Sequence, residues 1–292
     1  MKRQKAWLNK KFVDIDRTKV SIFDRGFLYG DGAFETMRSY AGIVFKLDDH
    51  LARLFDALKI LKIKLPYSRK YLAGAIYRLL DINGLKSAYI RLAVTRGEGR
   101  FGIGYKDVFA PNAVIVAKEF EGYPEWMFRR GISAGVAGIR QNEYSPLAAV
   151  KSMNYLNYIM ARFEAKEKGY DEAILLNTRG FVTEGATSNI FLVKKDVLIT
   201  PSPDSGILQG ITRGVILAIA KRLRFRVKEK RISMRELALA DEIFLTNSLA
   251  EVLPVTRIGP KPVGCGHPGE ATKFFRISYQ KEVIRDTVYC KP

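Results

Sequence analysis

A single lysine lies in an apolar and amide-rich stretch near the middle of this 292-residue chain. Lys151 follows Leu147-Ala148-Ala149-Val150 and precedes Ser152-Met153-Asn154-Tyr155-Leu156. A lysine amine in such surroundings can form a Schiff base with a carbonyl group and can then transfer protons. A lysine that only extends its ammonium group to solvent from a strand end would have similar neighbours. Lys151 is therefore a candidate nucleophile whose role depends on the residues that accompany it.

A carboxylate and an anion-receiving turn follow Lys151 in chain order. Glu184 lies in Val182-Thr183-Glu184-Gly185-Ala186-Thr187-Ser188-Asn189, and Gly210-Ile211-Thr212-Arg213 begins a predicted helix. A carboxylate can keep an aromatic ring nitrogen protonated, and the free N–H groups of a helix start can bind a phosphate. An ordinary turn carboxylate and an ordinary helix cap are the alternatives. In this order, the three features predict pyridoxal phosphate (PLP) as the cofactor.

The scarcity of histidine and cysteine limits other chemistry. The chain contains only two histidines, His50 and His267, and only two cysteines, Cys265 and Cys290. These residues are too isolated for a zinc site or a disulfide framework, so we expect no metal. Acid–base chemistry must then fall to another residue, and a lysine released from a Schiff base is suited to it.

The formal net charge is +19, from 49 Lys and Arg against 30 Asp and Glu. Nucleic-acid binding is one interpretation, but acidic residues lie between the basic ones and the chain lacks a basic tail. Surface ion pairs, or a field that attracts an anionic cofactor and carboxylate substrates, explain the charge better. No apolar stretch approaches the roughly 18 residues of a membrane helix, and the basic N-terminus resembles no secretory signal. We therefore expect a cytoplasmic protein with small-molecule substrates and neither a nucleic-acid nor a membrane partner.

Hydrophobic periodicity predicts an α+β fold with two domains. Residues 1–120 are expected to form a small N-terminal α+β domain, residues 121–131 an interdomain linker, and residues 132–292 a larger PLP-binding domain. The predicted strands lie at 6–13 (a hairpin turning at Asn9-Lys10), 33–40, 43–47, 89–95, 113–117, 132–137, 172–176, 188–193, 197–200 and 242–246. The predicted helices lie at 51–61 with Asp48 as its cap, and at 69–82, 153–168, 211–223 and 271–285.

The ordered motifs resemble the fold-type IV, class IV PLP-dependent aminotransferases. The resemblance covers nearly the whole chain. It rests on Tyr29-Gly30-Asp31-Gly32-Ala33-Phe34-Glu35, His50-Leu51-Ala52-Arg53-Leu54, Lys151-Ser152-Met153-Asn154-Tyr155-Leu156-Asn157, Glu184-Gly185-Ala186-Thr187-Ser188-Asn189, Leu208-Gln209-Gly210-Ile211-Thr212-Arg213 and Ala240-Asp241-Glu242-Ile243-Phe244. It implies a two-domain fold with a barrel-like C-terminal domain, and a homodimer or higher homo-oligomer.

The resemblance also implies roles for individual residues. Lys151 would hold the cofactor aldehyde and transfer the proton, Glu184 would pair with the ring nitrogen, and Arg53 would bind the phosphate. Further cofactor-binding residues would be Tyr155, Leu208, Gly210, Ile211, Thr212, Asn247 and Ser248. Substrate-binding residues would be Tyr29, Phe34, Arg38, Tyr89, Arg91, Arg100, Leu249 and Ala250. Ordinary core packing is an alternative for Tyr155 and Leu208, as is a solvated loop position for Arg100.

Different segments resemble different members of the family. Ser87-Ala88-Tyr89-Ile90-Arg91 and the residues around Lys151 resemble branched-chain amino acid aminotransferases. Thr36 and Thr246-Asn247-Ser248-Leu249-Ala250-Glu251 resemble D-amino-acid aminotransferases and 4-amino-4-deoxychorismate lyases instead. We predict amino transfer from branched-chain L-amino acids to 2-oxoglutarate by a ping-pong mechanism. The other two activities are the alternatives on this fold, and a non-catalytic nucleic-acid-binding protein is a remote one.

Overall fold

The computed structural model describes residues 4–100, 102–104 and 110–288. Its described residues divide into two compact units. The first comprises those of Met1–Glu121, Val150–Asn154 and Arg285–Pro292, and the second comprises Gly122–Ala149 and Tyr155–Ile284. Within the described ranges, every helix is too short or too polar to cross a membrane.

The described part of the first unit is built on a six-stranded antiparallel sheet in the order β2-β1-β6-β5-β3-β4. Its elements are β1 (Lys5–Leu8), β2 (Lys11–Asp14), α1 (Arg25–Tyr29), β3 (Gly32–Tyr40), β4 (Ile43–Val44), α2 (Leu47–Ile60), α3 (Arg69–Asn83), β5 (Ala88–Thr95) and β6 (Asn112–Glu119). The predicted β1–β2 hairpin is confirmed. Asn9 and Lys10 have φ angles of 44° and 75°, the left-handed pair that a tight two-residue hairpin requires.

The two faces of this sheet differ because side chains alternate along each strand. Met37, Ile90, Leu92 and Ile115 are fully buried and belong to the same hydrophobic core as the apolar side chains of α2 and α3. The residues between them, including Thr36 and Arg91, are half-buried and lie on the opposite face. That opposite face can therefore present polar groups.

The predicted start of α2 is wrong. Lys46, with a left-handed φ of 54°, is the N-cap, and Asp48 lies within the first turn. The predicted strand 43–47 is shortened to Ile43–Val44 for the same reason, because the chain already turns into the helix at Lys46. The carboxylate of Asp286 accepts a hydrogen bond from the Lys46 backbone N–H at 3.3 Å and pairs with its ammonium group at 2.9 Å. This ion pair stabilises the unusual cap.

The described residues of the second unit contain a nine-stranded sheet in the order β12-β11-β10-β13-β14-β7-β8-β9, with β15 paired to β14. Its strands are β7 (Ile132–Gln141), β8 (Glu172–Asn177), β9 (Val182–Gly185), β10 (Asn189–Lys194), β11 (Val197–Pro201), β12 (Arg226–Lys230), β13 (Glu242–Asn247), β14 (Glu251–Ile258) and β15 (Lys261–Pro262). The helices are α4 (Glu125–Arg130), α5 (Leu156–Glu167), α6 (Ile211–Arg222), α7 (Met234–Ala238) and α8 (Glu270–Val288).

The second sheet curls until its ends meet. The backbone N–H of Val182, at the start of β9, donates to the carbonyl of Ile232 at 2.8 Å, just beyond β12. This bridge joins β9, at one end of the sheet order, to the segment that follows β12, at the other end. The predicted α+β fold with a barrel-like C-terminal part is thereby confirmed.

Candidate active site

Lys151 lies in an extended segment beside β3. The Lys151 carbonyl accepts from the Phe34 N–H at 3.0 Å, and the Met153 N–H donates to the Gly32 carbonyl at 2.9 Å. These bonds explain why α5 begins at Leu156 and not at the predicted Met153. Gly32 permits the close approach, since a Cβ there would lie 2.9 Å from the Met153 sulfur and 2.4 Å from the Val94 carbonyl oxygen of β5. The backbone of the candidate nucleophile is therefore fixed on both sides.

Lys151 and Arg91 contact the same aromatic ring. The Lys151 Nζ lies 4.6 Å from the centroid of the Phe34 ring, and the Arg91 Cζ lies 3.7 Å from it. Phe34 is only 4% exposed. An amine and a guanidinium thus lie against one apolar side chain, and the guanidinium can bind a carboxylate close to the amine.

Glu35, His50 and Arg53 form a buried cluster on the opposite side of β3. Arg53 binds both Glu35 carboxylate oxygens at 2.7 Å, and His50 Nδ1 lies 2.7 Å from Glu35 Oε2. Burial alone would raise the pKa of Glu35, but the Arg53 charge and the hydrogen bonds from His50 and Arg53 lower it to about 2. The cluster therefore contains a carboxylate that orients the Arg53 guanidinium.

This cluster should make the protein less stable in mild acid. Burial lowers the pKa of His50, and its contacts with Glu35 only partly oppose the shift. Below the ordinary pKa of 6.5, the unfolded chain therefore binds a proton at His50 that the folded chain refuses. We expect the melting temperature to fall as the pH drops from 7 towards 5. Glu35 should add a second loss between its ordinary pKa of 4.5 and about 2.

The two histidines of the chain provide a matched comparison. His50→Gln should weaken the pH dependence of the melting temperature between pH 7 and 5. His267 is exposed in a loop, so His267→Gln should leave that dependence unchanged. Equal pH profiles for wild type and His50→Gln, measured by differential scanning fluorimetry, would contradict the assignment.

Glu184 is buried in the second unit and is held by three donors. Its Oε1 accepts from the Tyr158 hydroxyl at 3.2 Å, and its Oε2 accepts from Asn189 Nδ2 at 3.2 Å and the Leu208 N–H at 3.1 Å. Burial and the adjacent Glu184 carboxylate raise the pKa of Tyr158, so its phenol stays protonated and donates. These hydrogen bonds fix the orientation of the carboxylate. A carboxylate that pairs with a ring nitrogen needs such a fixed orientation.

The start of α6 connects to the same network. Asn189 Nδ2 also donates to the Leu208 carbonyl at 2.7 Å. Gly210 is the N-cap of α6, which has no side-chain cap. A Cβ on Gly210 would lie 2.0 Å from Asn189 Oδ1, so glycine is required there. Free N–H groups at the start of a helix can bind a phosphate, and the buried Thr212 adds a hydroxyl group in the first turn of this helix.

The turn between β13 and β14 contains four of the predicted site residues. Asn247 Oδ1 accepts from the N–H groups of Leu249 and Ala250 at 2.9 and 2.7 Å. Glu251 closes the turn with a φ of 61°, a left-handed conformation that is costly for a residue with a Cβ. Ser248 is half-buried at the centre of this turn.

The remaining predicted site residues lie in varied surroundings. Tyr29 accepts a hydrogen bond from the Gly102 N–H at 3.3 Å through its hydroxyl. The Arg38 guanidinium lies over the rings of Tyr40 and Phe120, at 4.5 and 5.1 Å. Arg100 is exposed.

Tyr155 lies beside the Glu184 network. Its hydroxyl donates to the Ala186 carbonyl at 3.4 Å, and its ring centroid lies 4.7 Å from that of Tyr158. Tyr155 therefore supports the ring that donates to Glu184.

Sequence reasoning missed Glu35 and Tyr158 as site residues. Glu35 could have been found, because a carboxylate at a core-facing strand position needs a buried partner, and His50 and Arg53 share a helix face at i and i+3. Tyr158 could have been found in the same way, because it follows the predicted site residue Tyr155 by three residues. Nothing in the sequence indicates that Asn189 would connect Glu184 with the start of α6.

These groups fit PLP by the chemistry of their donors. The described residues supply a fixed lysine amine, an oriented buried carboxylate, a helix start without a side-chain cap and a guanidinium held by a carboxylate. PLP requires an amine for its aldehyde, an anion for its ring nitrogen, and N–H or cationic donors for its phosphate.

Relatives with three different functional names match nearly the full length of this chain. A Methanocaldococcus jannaschii protein, provisionally named a branched-chain-amino-acid aminotransferase, is 42% identical over 94% of this chain and 95% of its own. The D-alanine aminotransferase of Bacillus licheniformis is 34% identical over 97% of this chain and 98% of its own. The aminodeoxychorismate lyase of Bacillus subtilis strain 168 is 34% identical over 95% of this chain and 94% of its own.

Solved structures also match nearly the full length of this chain. The Escherichia coli branched-chain amino acid aminotransferase has a TM-score of 0.91 and 32% identity, over 96% of this chain and 94% of that one. The T.th. branched-chain amino acid aminotransferase with pyridoxamine 5'-phosphate has a TM-score of 0.91 and 31% identity, over 97% and 95%. The model of the amino-transferase class IV family matches residues 32–258. The chain therefore belongs to the class IV aminotransferases, a family of PLP-dependent enzymes, and is a PLP-dependent transaminase.

Proposed function

We propose that this protein transfers the amino group of L-leucine, L-isoleucine or L-valine to 2-oxoglutarate by a ping-pong mechanism. The observation that carries the proposal is the contact of both Lys151 and Arg91 with the Phe34 ring. Phe34 brings the Lys151 amine and the Arg91 guanidinium together, so a carboxylate that Arg91 binds would lie near the amine. The relatives named branched-chain aminotransferases support the same choice.

PLP, when bound, supplies the electron sink that lets an amino acid lose its Cα proton. In the proposed mechanism, Lys151 Nζ takes this proton and returns it at the neighbouring carbon. Glu184 keeps the ring nitrogen protonated, because its carboxylate is buried and its orientation is set by Tyr158, Asn189 and the Leu208 N–H.

The phosphate-binding residues in this proposal are Arg53, Ser248 and the start of α6 at Gly210, Ile211 and Thr212. Asn247 holds the turn that carries Ser248 through its own side-chain oxygen. Tyr155 and Leu208 line the cofactor-binding region beside Glu184. Tyr29, Arg38, Tyr89, Arg100, Leu249 and Ala250 are the proposed additional substrate contacts.

Arg53→Ala should weaken PLP binding by roughly tenfold to a hundredfold. A charge-assisted contact of this kind contributes about 1.5–3 kcal/mol, and each 1.4 kcal/mol is about a factor of ten in affinity. Titration of the apoprotein with PLP measures the effect. Arg78 is an exposed arginine paired with Asp81 on α3, so Arg78→Ala is the control. Equal PLP affinities for the two variants would remove Arg53 from the phosphate site.

A D-amino-acid aminotransferase or 4-amino-4-deoxychorismate lyase is the second candidate. It is favoured by the sequence of the β13–β14 turn, Thr246-Asn247-Ser248-Leu249-Ala250-Glu251, which resembles those enzymes. Two relatives at 34% identity bear these names.

The half-reactions distinguish the candidates. Purified holoenzyme is mixed in turn with L-leucine, D-alanine and aminodeoxychorismate, and the cofactor absorbance is followed. We expect L-leucine to convert the spectrum and 2-oxoglutarate to restore it. Conversion by D-alanine alone would favour the D-amino-acid enzyme. Steady pyruvate release from aminodeoxychorismate, without a half-reaction on L-leucine, would favour the lyase.

The proposed assembly is a homodimer or higher homo-oligomer. One face of α5 exposes Leu156, Met160 and Phe163, with exposures of 68%, 48% and 57%. These positions recur at i, i+4 and i+7, so they form an apolar stripe that association would bury. Light scattering coupled to gel filtration measures the assembly, and a monomer at micromolar concentration would contradict it.

A further inference from the structure

A buried amide, the side chain of Gln141, lies at the end of β7 and has no role in the reaction proposed above. Its side chain is only 5% exposed. Its Nε2 donates to the Tyr158 hydroxyl at 2.7 Å and to the Gly206 carbonyl at 3.0 Å. A buried amide is costly unless its polar atoms are paired, and these two contacts use both hydrogens of the amide nitrogen.

The Gly206 carbonyl determines which way the Gln141 amide faces. A carbonyl oxygen can only accept, so the amide atom that lies 3.0 Å from it must be the nitrogen. The same nitrogen lies 2.7 Å from the Tyr158 hydroxyl, which must therefore accept from it. A phenol has one proton, and this proton is left for the Glu184 carboxylate at 3.2 Å. Gln141 thus sets the direction in which Tyr158 donates.

The contact with Gly206 connects Gln141 to the other oxygen of Glu184. Two residues after Gly206, the Leu208 N–H donates to Glu184 Oε2 at 3.1 Å. Gly206 has a left-handed φ of 90°, and a Cβ there would lie 2.8 Å from the Cα of Glu143. Glycine is therefore required where this segment packs against the residues that follow β7. One amide thus joins both chain segments that hold the Glu184 carboxylate.

We propose that Gln141 is a positioning residue, which directs the Tyr158 proton at Glu184 and thereby strengthens the pairing of this carboxylate with the cofactor ring nitrogen. The proposal rests on the proposed function, in which Glu184 contacts that nitrogen, and it deepens that function by naming the group that supports the contact. Without Gln141, the Tyr158 hydroxyl is no longer prevented from turning its proton away from Glu184. The carboxylate then loses a donor and part of its fixed orientation.

Two cofactors that differ only at the ring nitrogen test Gln141 by binding. PLP has this nitrogen, and its carbocyclic analogue has a C–H group in its place, with the same aldehyde and phosphate. The apoprotein is titrated with each, and the ratio of the two Kd values reports the contact at the ring nitrogen. Wild type should bind PLP at least about tenfold more tightly, the size of one charge-assisted hydrogen bond.

Gln141→Met keeps the length of the side chain and removes both donors. It should reduce the preference for PLP over the analogue by about two- to tenfold, the size of one neutral hydrogen bond. Gln141→Leu is the second variant and should give the same result. Gln4→Met, at an exposed position of the first unit, is the matched control and should change neither Kd. Equal weakening of PLP and the analogue in Gln141→Met would show a purely structural role and overturn the proposal.

A double variant tests whether Gln141 acts through Tyr158. In a Tyr158→Phe background, Gln141→Met should change the ratio of Kd values by less than about twofold, because the hydroxyl that it orients is already absent. A full further loss of the preference would mean that Gln141 acts on Glu184 by another route, and the proposal would be wrong.

Glu184→Gln separates this proposal from the proposed function. This variant should lose most of the preference for PLP, because it lacks the charge that pairs with the ring nitrogen. If it keeps the preference, the ring-nitrogen contact in the proposed function is wrong. If it loses the preference while Gln141→Met retains all of it, the contact stands and Gln141 does not support it. Turnover of L-leucine enters neither result.

Discussion

Lys151→Ala should lower transaminase turnover by roughly a thousandfold or more. In the proposed mechanism, the variant loses the amine that holds the cofactor aldehyde and the group that transfers the Cα proton, a step whose catalysis typically contributes about 10²–10⁴. Fold and PLP-phosphate binding should persist, since the segment is held to β3 by backbone hydrogen bonds that alanine retains. Steady-state rates with L-leucine and 2-oxoglutarate measure the loss.

Borohydride reduction followed by peptide mapping gives a second readout. Reduction fixes the cofactor to the lysine that holds it, so the labelled peptide should contain Lys151. Lys64→Ala, at an exposed position of the same unit, is the matched control and should retain both turnover and label. Label on a different lysine of the wild-type chain would disprove the assignment whatever the rates show.

Sequence patterns predicted the central strands of the first unit well, because one face of its sheet is buried and the other is not. Alternation then fixes both the existence and the limits of a strand. The predicted 33–40, 89–95 and 113–117 correspond to Gly32–Tyr40, Ala88–Thr95 and Asn112–Glu119.

Strand β9 of the second unit, which is short and buried throughout, was missed. Glu184 lies in β9, whose four residues are all buried, so no alternation distinguishes it from a turn. The chemistry of Glu184 could be proposed from its neighbours, but the strand that fixes its position could not.

Contacts between residues that are distant along the chain could also not be predicted from the sequence. The pairing of the Lys151 segment with β3 depends on strand register, which no local propensity sets. It overrode the helical pattern of Met153 to Lys168, so the helix starts at Leu156. The Arg53–Glu35 pair similarly requires packing of α2 on β3, and this pair distinguishes a held guanidinium from a solvated one.

Glu184→Gln should lower turnover by about 10²–10³ while PLP remains bound. Loss of one preorganised charge contact at a reacting centre has costs of this size, and the phosphate contacts are untouched. Glutamine also has one accepting oxygen where glutamate has two, so it cannot accept equally from Tyr158, Asn189 and the Leu208 N–H. Tyr158→Phe separates charge from orientation. It removes one donor and keeps the carboxylate, so its turnover should fall by no more than about tenfold. If Glu184→Gln loses no more activity than Tyr158→Phe, in single-turnover measurements at saturating PLP, the carboxylate charge is not what the reaction uses.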